Sequence, residues 1–158
     1  MPTLDQIRAA IKTKIESVPN VGVVHDYERF AAEQAKFREF YLYGAAPNQR
    51  VTGWHIRRAA TREIYIDVNR WVVYHDWRIR GFMSINDADA TEKTFDNLIE
   101  AIRDAFRANP TLTAEPDHSE AVTDGERAGV QVPDSGPVMF SGVLCHGARL
   151  ELTSRHYL

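Results

Sequence analysis

Six histidines, one cysteine and a run of arginines are the residues whose chemistry stands out in this 158-residue chain. His25-Asp26 and His75-Asp76 are adjacent pairs, but neighbours on a strand point to opposite faces and cannot form a dyad with each other. His55 and His75 come within reach of each other across a predicted hairpin, with no third ligand in view, whereas zinc needs three or four converging groups. No H-E-x-x-H, C-x-x-C or H-x-H pattern occurs. Cys145-His146 resembles a thiol–base pair, yet strand alternation separates the two, and a buried, inert cysteine is the plainer reading. Ser141-Gly142 lies outside any nucleophile-elbow pattern, and no glycine loop suited to a phosphate is present. No cofactor and no catalytic residue are expected.

The arginines carry more. Arg57, Arg58, Arg62, Arg70, Arg78 and Arg80 all fall on the predicted central hairpin. They read as a solvated face whose charge discourages edge-to-edge aggregation, or as a protein interface in which guanidinium forks meet carboxylates. A nucleic-acid groove, with Tyr65, Tyr74 and Trp77 as stacking platforms, is a third reading.

The elements that must position these residues follow from spacing. Thr3 and Gln6 form a capping-box pattern at the start of a helix whose stripe is Leu4, Ile7, Ile11, Ile15 and Val18. Pro19-Asn20 ends it, and Gly22 to His25 is extended. Asp26 to Tyr43 reads as a helix, with Asp26 capping and Phe30, Gln34, Phe37 and Tyr41 on one face; Gly44 to Asn48 is a loop. Trp54 to Val68 alternates as a strand, with Trp54, Ile56, Ala60, Ile64, Ile66 and Val68 on one face. Asn69-Arg70 is the predicted turn into the antiparallel partner, Trp71 to Ile85, where Gly81 marks a bulge or bend. Asp87 or Asp89 caps a further helix, with Phe95, Leu98, Ile99, Ile102 and Phe106 facing inward, and Asn109-Pro110 stops it. Thr111 to Pro137, rich in proline and acidic residues, is expected as an extended loop or β-arm. One strand from Val138 to Tyr157 closes the chain. The expected fold is α+β: a mixed, mainly antiparallel sheet flanked by two or three helices, in a single domain over residues 1–158.

Composition sets the outer bounds. Hydrophobic residues make up 44% and charged residues 26%, which suits an ordinary globular core. A net charge of −3 provides no global field for gripping nucleic acid. A single cysteine permits no intrachain disulfide, and the charged stretch Met1 to Ile11 has no apolar signal-peptide centre. No stretch is apolar for long enough to span a membrane as a helix. A soluble, intracellular protein with no membrane partner is expected.

The N-terminal amphipathic helix leads into V-P-N-V-G-V-V-H-D-Y-E-R-F (Val18 to Phe30) and then G-W-H-I-R-R (Gly53 to Arg58). With the long strand pair, the helix F-D-N-L-I-E-A-I-R-D-A-F (Phe95 to Phe106) and the C-terminal strand, this layout is similar to the tail terminator, or tail completion, proteins of long-tailed bacteriophages. The resemblance covers nearly the whole chain in element order. It implies a mixed sheet flanked by helices, and six copies closing into a ring on the finished tail tube at the head-proximal end of the virion. That ring stops tube polymerisation and presents a surface to the head-tail connector. Its implied partners are therefore further copies of itself, the tail tube protein and the connector protein. It also implies no sequence-specific nucleic-acid binding, while leaving room for DNA to pass through the ring. A head-tail connector or another minor virion component is the alternative, followed by a small metal- or ligand-binding α+β enzyme. Under the ring reading, Arg57, Arg62, Arg78 and Arg80 of one copy are expected to meet acidic residues of the next, among them Glu115, Asp117 and Glu126 of the loop or arm. Reversing the charge of Arg57 and Arg62 should then impair assembly.

Overall fold

Two amphipathic helices and one long β-hairpin account for most of the core. The computed structural model describes residues 1–122 and 128–158. Helix α1 (Leu4–Glu16) starts as the capping box requires: Thr3 Oγ1 accepts from the Gln6 amide at 3.2 Å and the Gln6 side chain accepts from the Thr3 amide at 2.7 Å. It buries Ile7, Ile11 and Ile15, and helix α3 (Thr91–Ala108) buries Phe95, Leu98, Ile99, Ile102 and Phe106. Both lie on one face of the sheet, against Trp54, Ile56, Trp77, Ile79, Leu150 and Leu152.

The strands are β1 (Val23–His25), β2 (Leu42–Tyr43), β3 (Arg50–Asp67), β4 (Arg70–Ser84), β5 (Thr111–Thr113), β6 (Ser119–Ala121), β7 (Gln131–Phe140) and β8 (Val143–Tyr157). Their order is β1-β3-β4-β8-β6-β5, with β2 also on β3 and β7 also on β8. Among the described residues, only the β1–β3 pair is parallel. The expected α+β fold with a mixed, mainly antiparallel sheet is therefore what the chain adopts.

Several local expectations are corrected. Of Asp26 to Tyr43, only α2 (Gln34–Glu39) is helical, with Glu33 rather than Asp26 at its N-cap position, and Leu42–Tyr43 is a strand. Aromatic packing overrides the helical spacing there: Phe37, Phe40 and Tyr41 join Val51, Phe82, Phe140 and Cys145 in a second, smaller core on the outer face of the sheet. The tight turn falls at Val68-Asn69, one residue before the expected Asn69-Arg70, because Asp67 pairs with Arg70 and Asn69 takes the positive φ of 63°. Asp87 and Asp89 do not cap α3; they form a 3-10 turn, and residue 90 enters the helix in the left-handed region. The C-terminal strand is two strands, because Ser141 and Gly142 both adopt positive φ and reverse the chain in a two-residue hairpin loop. Within 111–137, β5 and β6 pair with each other, and β6 pairs with β8.

The largest correction concerns β3. A register shift between Arg58 and Ala60 makes Ala59 the extra residue of a bulge. Trp54 and Ile56 point to the helical face, but beyond the bulge Ala60 pairs with Asp76 and Ile64 with Val72, on the opposite face. The six residues expected to share one face are therefore divided between two, as are Arg58, opposite Trp77, and Arg62, opposite Tyr74.

Candidate self-assembly surface and arginine groove

Beyond its bulge, β3 is exposed at every position but Arg62, which is partly covered. β1 pairs with it only at Gly53 to His55 and β2 only at Arg50 and Val51. Among the described residues, the outer edge of β3 from Ile56 to Asp67 has no strand beside it. β4 and β8 support the other side up to the Val72–Tyr157 pair. The hairpin tip is apolar and open to solvent: Ile64, Tyr65 and Ile66 are 47%, 53% and 49% exposed and Val68 76%. Trp71 packs its ring 4.9 Å from that of Tyr65, and Tyr157, in register with Val72, and Leu158 are about half exposed close by in the sheet. Single exposed hydrophobics are ordinary, whereas several close together beside an unpaired strand edge are a usual mark of a protein contact.

On the outer sheet face, between this tip and the second core, lies a groove of about 280 Å³ whose walls include Arg57, Arg78, Arg80, Arg149, Glu28 and Asp134. Its floor is the cross-strand pair Gly136–Gly147. Strand register sets arginine against arginine: Arg57 stands opposite Arg78, and Arg80 opposite Arg149. Like charges directly opposite are unfavourable in a sheet. Glu28 offsets part of this at 3.6 Å from Arg57, and Glu151 lies 3.9 Å from Arg78 and 3.7 Å from Arg149. Arg80 lies over the ring of Phe82 at 5.7 Å.

Of the residues singled out from sequence, Arg57, Arg78 and Arg80 thus meet in one groove. Arg62 lies farther along the same face, where its Nη1 donates to both carboxylate oxygens of Asp76 at 3.2 and 3.0 Å and its guanidinium stands over Tyr74. Glu115 is exposed beside Pro116, and Asp117 pairs with the amino group of Met1. These two acids do not join the arginines within one chain, and Glu126 lies outside the described residues. Arg149, Glu28, Glu151 and the glycine floor were not anticipated. Alternation along β8 puts Arg149 and Glu151 on one face, which was the available signal; what hid their role was the unrecognised β7 beside them.

The histidines do not converge as a hairpin pair. His55 stands opposite Arg80, and His75 opposite Thr61. His55 is buried against the Tyr41 hydroxyl at 3.1 Å, and burial is the main reason its pKa falls to about 4, despite Glu28 at 3.8 Å. His75 packs against His156 at 5.4 Å and hydrogen-bonds Thr61 at 2.8 Å; burial first, then the charge of its neighbours, lowers its pKa to about 4 as well. Among the described residues, no three His, Cys, Asp or Glu side chains gather as a metal site. Cys145 is enclosed in the second core, and burial pushes its thiol up to about 11, which opposes thiolate formation.

No family model matches this chain, and no curated protein matches it. Solved structures do: 24 chains match, and one of them superposes on 98% of this chain and 96% of its own length, with a TM-score of 0.51 and 14% sequence identity. At that identity the likeness is one of fold.

Proposed function

We propose that this protein is a virion assembly protein of the tail-terminator kind, which closes into a ring of about six copies through a head-to-tail interface. The ring would cap the tail tube of a long-tailed phage, end its polymerisation and offer a surface to the head connector. The observation that supports this best is the β3–β4 hairpin, which, among the described residues, carries an unpaired strand edge and an exposed apolar tip. An edge of this kind is completed by a strand or apolar surface of another molecule. The element order that resembles the tail terminators from sequence is compatible with the α+β fold.

The test is the solution mass by light scattering, with negative-stain images of the same fractions, alone and with purified tail tubes. The expected result is a ring, formed alone or on the tube end. Ile64→Lys/Ile66→Lys should abolish it while leaving the thermal midpoint within a few degrees of wild type, because both side chains are about half exposed. A wild-type chain that stays monomeric and does not bind tubes overturns the proposal.

A further inference from the structure

The open edge of β3 is complementary to itself. Counted in rungs of the β3–β4 ladder, the open stretch is balanced about Arg62, which stands opposite Tyr74. Four rungs to one side is Arg57, opposite Arg78, and four to the other is Asp67, opposite Arg70. Three rungs out lie Arg58 and Tyr65, two rungs out Ala60 and Ile64, and one rung out Thr61 and Glu63. The basic residues fall in one half and the acidic ones in the other.

A second β3 laid antiparallel and centred on Arg62 therefore sets unlike groups together at every rung but the middle one. Arg57 meets Asp67 on the outer face, where the two side chains are 60% and 59% exposed. Arg58 meets the ring of Tyr65 on the helical face, small Ala60 meets Ile64, and the Thr61 hydroxyl meets the Glu63 carboxylate. In the middle Arg62 meets its own counterpart, but each guanidinium is already held on the Asp76 carboxylate and over Tyr74. A parallel pairing in register would set each of these residues against its like.

The other edges of the sheet do not offer an equivalent strand. Among the described residues, β1, β2 and β5 have three residues or fewer. β7 has ten, but it carries Pro133 and Pro137, which have no N–H to donate. Among the described residues, β3 is thus the long open edge without proline, and the strand best suited to complete it is another β3.

We propose that in the free protein the β3 edges of two copies pair antiparallel about a two-fold axis at Arg62, joining their sheets into one. The occupant of the edge is a second copy of this chain. The inference goes beyond the ring and does not rest on it: a two-fold pair uses the same patch on both copies, whereas a ring closes head-to-tail. Both need the one hairpin, so the pair has to part before a ring can form.

The test uses the full-length chain with single introduced cysteines. Cys145 is fully buried, which leaves the introduced thiol as the reactive one. Under mild oxidation Arg62→Cys should cross-link to its own counterpart. Arg57→Cys and Asp67→Cys should each stay uncrosslinked alone and should cross-link to one another when mixed. Sedimentation velocity of the wild type should show a concentration-dependent dimer. Arg57→Glu should weaken that dimer by about tenfold, because two symmetry-related ion pairs are lost at once. Adding Asp67→Arg in the same chain should restore it, which a folding defect would not allow. A wild type that is monomeric at every concentration, a cross-link in Arg57→Cys alone, or none in the mixture of Arg57→Cys and Asp67→Cys overturns the proposal. A ring that assembles while that mixture stays uncrosslinked would refute the pair and leave the assembly reading intact. A cross-linking dimer that never yields a ring on tail tubes would do the reverse.

Discussion

The indole of Trp54 fills the space above Gly81: a Cβ placed at residue 81 would stand 2.2 Å from Cζ3 of that ring. Gly81 pairs in register with Trp54 on one side and Ala148 on the other, so it is neither a bulge nor a bend. The missing side chain is what lets the ring lie flat on the strand and stack on Phe95, with its Nε1 donating to the Val21 carbonyl at 2.8 Å. Gly81→Ala should therefore destabilise the fold by about 1–3 kcal/mol through overpacking. Calorimetry would show this as a fall of roughly 2–4 °C in Tm per kcal/mol. An unchanged midpoint would mean that the indole can leave without cost.

Trp77 Nε1 donates to Ser154 Oγ at 2.8 Å, between two side chains that are almost wholly enclosed. Ser154→Ala removes the acceptor and leaves a buried N–H unsatisfied, at a cost of about 1–3 kcal/mol. Urea unfolding should show a lower midpoint with an unchanged slope.

Acid should weaken the fold through its buried imidazoles. His55 and His75 both have pKa values near 4, below the ordinary value of 6.5, so between those limits the unfolded chain takes up protons that the folded chain refuses. Their stabilising contribution is complete above about pH 6.5 and is lost as pH falls from there toward 4. The slope is on the order of 1 kcal/mol per pH unit for each imidazole, taken below the enclosed-group limit because solvent screening reduces it. Urea midpoints at pH 7.5 and 5.0 would measure it, and His75→Gln should flatten the dependence. A midpoint equal at both pH values would contradict the assignment.

Much of the fold was legible because its helices obey one period. Ile7, Ile11 and Ile15 in α1, and Phe95 to Phe106 in α3, are buried as their spacing demands. The strand pair was legible as a hairpin, but its faces were not. A bulge leaves alternation intact on either side and shifts it by one residue, so Ala59 reversed the facing from Ala60 to Tyr65, and a second register shift between Tyr65 and Asp67 changes it again at the tip. The aromatic run Phe37 to Tyr41 fits a helix or a core cluster equally well in sequence, and only Phe82 and Phe140, distant in the chain, decide for the cluster. Arg57, Arg78 and Arg80 were recognisable as a group from the hairpin alone. Arg149 joined them through a pairing of β4 with β8 that no local pattern announces.

That pairing also governs how the chain must be built. β8 lies between β4 and the β6–β5 edge, although it is the last strand in sequence. While the chain emerges from the ribosome, the β3–β4 hairpin waits with its inner edge open until residues some seventy positions later arrive to zip along it. Closures over such sequence distances are slow steps in folding. The nascent hairpin therefore exposes two strand edges and an apolar tip during synthesis. This makes it the segment for which a chaperone, or premature association with a sister chain, would compete.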